Sequence, residues 1–469
     1  MPSTLPDVIF PIVTPMPKIS GLPVLGALPR LLRQQFGFFT SAQAEHGDAF
    51  ELHLGTASLA MFCHPTMAEE ILITKAKHFN KGGSFWDAAR VLLGQGLVVS
   101  EGELWRRQRR IIQPQFHAQR LPALTETVSQ SLAVELDELE RLAERGIVRV
   151  DEWTSRTILN VLLASMFGSQ MPREQAADLR EQLSFALDRF VLGMVTNGMP
   201  KWLPTPGRRR YQRALASVDR HIYALIDDRR QRGPGAGDLL DLIYTAVEQE
   251  TGATMSKRQL RDEVVNLFLA GYETTGAALG WSLWLLAGHP EVMKRLRDEV
   301  REQIGDRPPT FADLPRLGYA KQIFQEALRL YPSSFWVPRM AVVETEVAGY
   351  PIAAGGLVAT STYCIHRHPE QWSEPDRFDP DRFAPGREAE RHRLAWMPFG
   401  AGRRVCVGRS LSLLQAQLVL IMLAQRFELS RVHKRVPAPK ISTTMTSKRG
   451  IYLNVRGTAH RRPAKQING

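Results

Sequence analysis

The sequence predicts a mainly α-helical protein with a minor β region, and three observations carry that reading. From about Met67 to Gln303 the apolar residues mostly recur at helical spacing. Two stretches, Ala49 to Cys63 and Ala341 to Ile365, are instead short, alternating and rich in turn residues. One segment starting near Ser256 reads as a single helix of about thirty residues, enough to cross a whole domain at ~1.5 Å per residue.

Taken in order, the N-terminus is cut by Pro6, Pro11, Pro15 and Pro17, carries Asp7 and has no initial basic cluster. It reads as neither a signal peptide nor a membrane anchor, but as a proline-rich arm over residues 1–40, extended where proline removes helical hydrogen bonds. The expected main body is one domain over residues 41–457, with a polar tail over 458–469. FELHLG and SLAMFC flank a turn at Gly55 and predict a hairpin; EVAGYPIAAGGLVATSTYCI predicts strands joined at Gly349 and Gly355-Gly356. Arg232 to Asp238, RGPGAGD, reads as a link between two helices rather than two domains. The long helix has a capping box in Ser256 and Gln259, a staple in Met255 and Leu260, and a stop at Gly288 and Pro290. Asn266 and Glu273 interrupt its apolar run, so a buried central helix is preferred to a membrane span.

The 469 residues suffice for a large core, and the formal charge of +12 fits nucleic acid, an anionic membrane or an acidic protein equally well. The arginines are spread over helical segments, with no zinc-finger spacing and no RNA-binding aromatic signature, so nucleic acid is not an expected partner. Cys63, Cys364 and Cys406 are too few and scattered for a disulfide framework, and no CxxC pair is present. A soluble, cytoplasmic protein is expected.

The decisive segment runs from Pro398 to Gly408, PFGAGRRVCVG, and leads into the apolar helical stretch LSLLQAQLVLIMLAQRF. A glycine-rich loop thus delivers one cysteine to a helix start, where unpaired N–H groups and the positive helix end favour a thiolate. A lone free cysteine is more often buried core than ligand. The surrounding loop reverses that reading. Phe399, Gly402, Arg404, Cys406 and Gly408 match F-x-x-G-x-R-x-C-x-G, which resembles the haem-binding signature of the cytochrome P450 superfamily.

The rest of the chain continues the resemblance. Ala270-Gly271-Tyr272-Glu273-Thr274-Thr275 is similar to the family's oxygen-activation motif. Thr274 lies four residues after Ala270, so its hydroxyl can compete for that carbonyl and open the helix locally. Alone, an acid and an alcohol in a helix are satisfied polar residues; beside the cysteine loop, Glu273 and Thr274 read as catalytic. Glu326 and Arg329 share a helical face, and the resemblance makes them, with Arg382, a buried polar network behind the cysteine loop. Trp105 and Arg109 match the family's W-x-x-x-R helix, which implies contact with haem propionates; Arg339 and His366 fall where further such contacts are expected. Arg106, Arg107 and Arg110 read as a solvated basic helix face, or as the side where an acidic electron donor docks.

The resemblance implies haem b with an axial cysteine thiolate, dioxygen as cosubstrate and hydroxylation or epoxidation of a lipophilic molecule such as a terpenoid, fatty acid, steroid or polyketide. Electrons from NAD(P)H are expected through a ferredoxin and ferredoxin reductase, or a flavodoxin, and the enzyme is expected to be a monomer. Position in the chain nominates Phe85, Trp86, Leu192, Val195 and Phe268 for the substrate pocket. Phe335, Trp336, Val337 and Met445 complete the set, although all are also ordinary core residues. Met194, Met199, Trp202 and Leu203 form an apolar stretch suited to an entrance or a membrane surface. Two competing readings are a haem-thiolate ligand sensor without turnover and a haem-thiolate enzyme of another reaction class.

Overall fold

The structure, a computed structural model, describes residues 15–23, 25–54, 57–168, 171–196, 207–233, 239–241, 243, 255–440 and 442–458. The longest helix among the described residues is Lys257–Leu286, and half of the expected capping box marks its start: Ser256 Oγ accepts from Gln259 N at 3.1 Å, while the Gln259 side chain turns instead to Gln95 O and Glu263. This helix lies across Val150–Phe167, and small residues set how closely. A Cβ on Gly276 would sit 2.7 Å from Ser155 Cα, and one on Gly280 would sit 3.2 Å from Asp151 Cα. Thr154 Oγ1 donates to Gly276 O at 2.8 Å across the crossing. No helix among the described residues is long and apolar enough to cross a membrane.

Among the described residues the minor β region is led by a five-stranded sheet, beside a three-stranded sheet of Val148–Arg149, Tyr452–Gly457 and Phe427–Arg431 and two short strand pairs. The order in the five-stranded sheet is Ala49–Leu54, Ala57–Phe62, Leu357–Thr360, Val337–Ala341 and Phe79–Asn80. The first two strands form the hairpin that alternation predicted, with Ala49 opposite Phe62; the second runs parallel to the third, with Phe62 opposite Thr360. Thr345–Val347 and Tyr350–Ile352 form a separate hairpin turning through Ala348 and Gly349, both at positive φ. The loop at Arg232 to Asp238 follows the helix Arg208–Gln231, but its residues 234–238 lie outside the described residues.

One expectation needs correction. The arm over residues 1–40 is not extended throughout, because Leu28–Gln34 is a helix with proline in its first turn and a second helix starts at Gly37. Proline is tolerated at a helix start, where its missing N–H has no partner to lose. Phe36, Phe38 and Phe39 are buried, and Phe36 packs edge-on against Phe335 at 4.9 Å.

Candidate active site

The cysteine loop is built from two glycine turns. Gly400 and Gly402 have φ of +70° and +65°, and a Cβ on Gly402 would strike Leu72 O, so glycine is required there on both counts. Cys406 N donates to Phe399 O at 2.9 Å, closing the loop just before helix Arg409–Arg426. The Cys406 side chain is exposed, yet the surface it exposes belongs to an internal cavity. Burial pushes its thiol upward, opposed by the N–H groups of Gly408 and Arg409 and by the Arg109 charge.

That cavity has a volume of about 350 Å³ and runs between the cysteine loop and the middle of the central helix. Ala270, Gly271, Thr274, Thr275 and Ala278 line it from the helix side. Ala270 is exposed although the five residues before it are buried, which marks where the helix faces the void. Thr274 Oγ1 donates to Ala270 O at 2.6 Å, as its spacing predicted, and Ser333 Oγ donates to Thr274 O at 2.7 Å. Glu273 does not line the cavity. It faces the ion pair of Lys440 and Asp188, and burial together with Asp188 pushes its carboxyl up to about 8.

On one rim of the cavity four cations converge. Arg404 lies over the Trp105 ring at 3.9 Å and pairs with Glu101, but its Nη1 is buried without a partner. Arg109 donates to Val405 O at 2.8 Å and to Gln113 Oε1 at 2.7 Å. Arg339 is buried, and burial with the nearby Arg404 charge lowers it to about 10. Lys81 is driven well below its ordinary value by burial and by Arg339 and Arg404. Glu101 is the carboxylate facing this cluster among the described residues. Buried positive charge left uncompensated is costly, so the rim is suited to an anionic ligand group. Sulfur at one wall, a slot of small residues opposite and an anion-seeking rim together fit haem: Cys406 would hold its iron, and Arg109, Arg339, Arg404 and Lys81 would meet its carboxylates.

Behind the loop the Glu326–Arg329 pair is fully matched, although Arg382 Nε beside it is buried without a hydrogen-bond partner. Arg329 makes a bidentate pair with Glu326 at 2.7 and 2.8 Å, and neither side chain is exposed. Its remaining donors reach the carbonyls of His366, Pro375 and Arg377, while Asp379 N and Arg382 approach Glu326 Oε1 at 2.9 and 3.5 Å. His366 corrects its sequence assignment. It is fully buried away from the cavity, its Nε2 accepts from Met397 N at 2.9 Å, and burial with two neighbouring arginines lowers it to about 3. A permanently neutral imidazole that accepts a backbone N–H serves the loop, not a ligand carboxylate.

Of the nominated pocket residues, Phe85, Trp86, Trp336 and Val337 line the cavity. Phe268, Phe335 and Met445 do not. Phe268 stands one layer behind the wall, stacked at 4.5 Å on Phe167, which does line the cavity; Phe335 belongs to the core around Phe36, and Met445 is buried beside Trp281, which donates to its carbonyl. The side chains of Leu192, Met194 and Val195 lie outside the described residues, as do Met199, Trp202 and Leu203 entirely.

Lys81 and the loop carrying Leu97 and Val98 were missed. The loop is held by three successive acceptors on the central helix: Gln95 N donates to Asp262 at 2.8 Å, Leu97 N to Glu263 at 2.9 Å and Val98 N to Asn266 at 3.0 Å. Burial pushes the Glu263 carboxyl up to about 7. The only sequence signal was Asn266 as a polar break in an apolar helix.

A family model described as Cytochrome P450 matches residues 15–455. Among curated proteins, the cyclooctat-9-en-7-ol 5-monooxygenase of Streptomyces melanosporofaciens is 35% identical over 413 residues, covering 88% of this chain and 89% of that protein. The pentalenene oxygenase of Streptomyces avermitilis is 29% identical over 408 residues, covering 86% and 89%. The crystal structure of the cytochrome P450DA heme domain superposes with a TM-score of 0.85 at 28% identity, covering 96% of this chain and 100% of that one.

Proposed function

This chain belongs to the cytochrome P450 family and is a haem-dependent monooxygenase, and from that premise we propose that it oxygenates a cyclic terpenoid. The observation that carries the reading is the cavity: apolar and aromatic walls from Phe85, Trp86, Leu97, Val98 and Trp336, set against small residues of the central helix. Such a lining binds a compact hydrocarbon by burying its surface, at ~25 cal/mol per Å². Two relatives named for oxygenating cyclooctat-9-en-7-ol and pentalenene support this class over straight-chain lipids.

Bound haem supplies the iron at which dioxygen is reduced and from which one oxygen atom reaches the substrate. The protein's part is proton supply, orientation and exclusion of water. Thr274, bonded to Ala270 O, presents a hydroxyl beside a weakened helical turn, where ordered water can enter. Glu273, held neutral up to about pH 8 on the side of Asp188 and Lys440, acts as the proton store behind it. Electrons come from a separate donor, a ferredoxin with its reductase or a flavodoxin, docking on the exposed basic face formed by Arg106, Arg107 and Arg110.

The test is a spin-state screen of cyclic terpene hydrocarbons and alcohols beside fatty acids, followed by turnover with a ferredoxin pair. Saturable shifts and oxygenated product from the cyclic set are expected. Shifts confined to fatty acids remove the terpenoid reading, and tight shifts with no substrate-dependent NAD(P)H oxidation favour a sensor. Thr274→Ala is expected to divert most reducing equivalents into peroxide; unchanged coupling removes the proton-delivery role.

A further inference from the structure

Strand register brings three side chains of metal-ligand type, Asp48, His64 and His368, together at one end of the sheet, apart from the lining of the active-site cavity. Asp48 immediately precedes the first strand and His64 follows the second, and the opposition of Ala49 to Phe62 places them side by side. Phe62 opposite Thr360 brings in the third strand, whose chain continues through the short helix Thr362–Ile365 to His368. Backbone bonds fix the junction: Cys63 N donates to Asp48 O at 2.8 Å and Ser361 N to Phe62 O at 2.9 Å.

We infer that Asp48, His64 and His368 form a binding site for a divalent transition metal of the zinc type, with Glu370 as a fourth ligand. One ligand atom from each of the first three lies within 4.8 Å of the others. His368 Nε2 is 3.1 and 3.2 Å from the two carboxylate oxygens of Asp48, and the two imidazoles meet edge to face at 4.8 Å between centroids. Glu370 Oε2 is 3.3 Å from His64 Nε2, and its side chain is 70% exposed, free to swing inward. Two imidazoles and carboxylates are the donor set that suits zinc, and ligand bonds of about 2.0–2.2 Å put tetrahedral neighbours roughly 3.4 Å apart. The cluster therefore has to draw in by at most about 1.4 Å, mostly by rotation of His64 and Glu370.

Outer contacts divide in their effect. His64 Nδ1 is 2.7 Å from Thr66 Oγ1, a hydroxyl that can accept a hydrogen bond from Nδ1–H and leave Nε2 free for metal, and Gln43 donates to Asp48 Oδ1 at 2.7 Å, orienting the carboxylate. Against binding, Glu370 N donates to His368 Nδ1 at 3.3 Å, and Thr66 N to His64 Nδ1 at the same distance. Metal at Nε2 moves the imidazole proton to Nδ1, so these two long bonds are given up. The ion would pin three segments, the last of which carries His366 and so reaches the support of the cysteine loop.

The test uses the haem-loaded protein, stripped with EDTA and titrated with zinc chloride by calorimetry, with bound zinc counted after gel filtration. One zinc per chain is expected, with a rise in thermal midpoint on zinc addition. Asp48→Asn and His64→Asn should each lower the affinity at least tenfold and abolish that rise; asparagine at 64 keeps a side-chain acceptor for Thr66 N, so this variant retains its helix cap. An unchanged reduced CO spectrum in each variant certifies the fold. No saturable uptake by the wild type, or equal uptake by both variants, overturns the site.

Discussion

Two groups of buried charges lie on opposite sides of the cysteine loop, and they are built on opposite principles. Behind it, Glu326 and Arg329 are fully withdrawn from water, and the guanidinium's donors are matched to a carboxylate and three carbonyls. On the cavity rim, Lys81, Arg109, Arg339 and Arg404 gather around the single carboxylate of Glu101 among the described residues, and Arg404 keeps a buried nitrogen without a partner. A closed pair is complete without a ligand and holds structure. An open cluster is paired fully only when an anion arrives, which is the mark of a binding site.

The largest effect should come from opening the closed side. Glu326→Ala leaves Arg329 buried and unpaired and is expected to cost roughly 3–5 kcal/mol, read as a fall in denaturation midpoint or failure to recover folded protein. A loss below 1 kcal/mol would falsify its role as the centre of that network. Cys406→Ser comes next: the reduced CO complex should lose the strongly red-shifted band of thiolate ligation. If that band persists, the iron ligand is a different residue.

The rim should respond with opposite signs in the two forms of the protein. Arg339→Gln removes a buried cation, so the apoprotein should be as stable as wild type or more so, while haem dissociates faster, on the order of tenfold. Loss of stability in the apoprotein without change in haem retention would make this rim structural, like the other side. The last effect shows only as a pH dependence, at Glu263, which bonds the Leu97 loop from the central helix. Its carboxyl is raised in the folded state to about 7, so the folded protein holds the extra proton between the unfolded value and about 7. Stability from this group is full below the unfolded value and is lost as pH rises from there to about 7, by on the order of 3 kcal/mol. Glu263→Gln should flatten that dependence between pH 5 and 8, measured as midpoints of wild type and variant side by side. An identical slope in both would show that another group titrates.

Contacts within one helix or one loop were legible from spacing. Thr274 to Ala270 and Glu326 to Arg329 are separated by four and three residues, so helical geometry alone brings each pair together. The cysteine loop carried its own turn glycines, and the pairing of Ala49–Leu54 with Ala57–Phe62 followed from alternation. Fold class was therefore readable from the sequence, and the loop's resemblance to a family signature singled out Cys406 as the candidate iron ligand.

Tertiary structure decided which way each shared face points. Phe268 and Ala270 stand on the same helix two residues apart, yet one stacks on Phe167 and the other opens to the cavity, because the rotation of that helix is set by Gly276 and Gly280 against Val150–Phe167. His366 became a support for the cysteine loop, and Lys81 joined Arg339 and Arg404 from segments far apart in the chain. Periodicity determines which residues share a face. The packing of glycine and aromatic surfaces between distant segments determines what that face meets, and no local pattern encodes it.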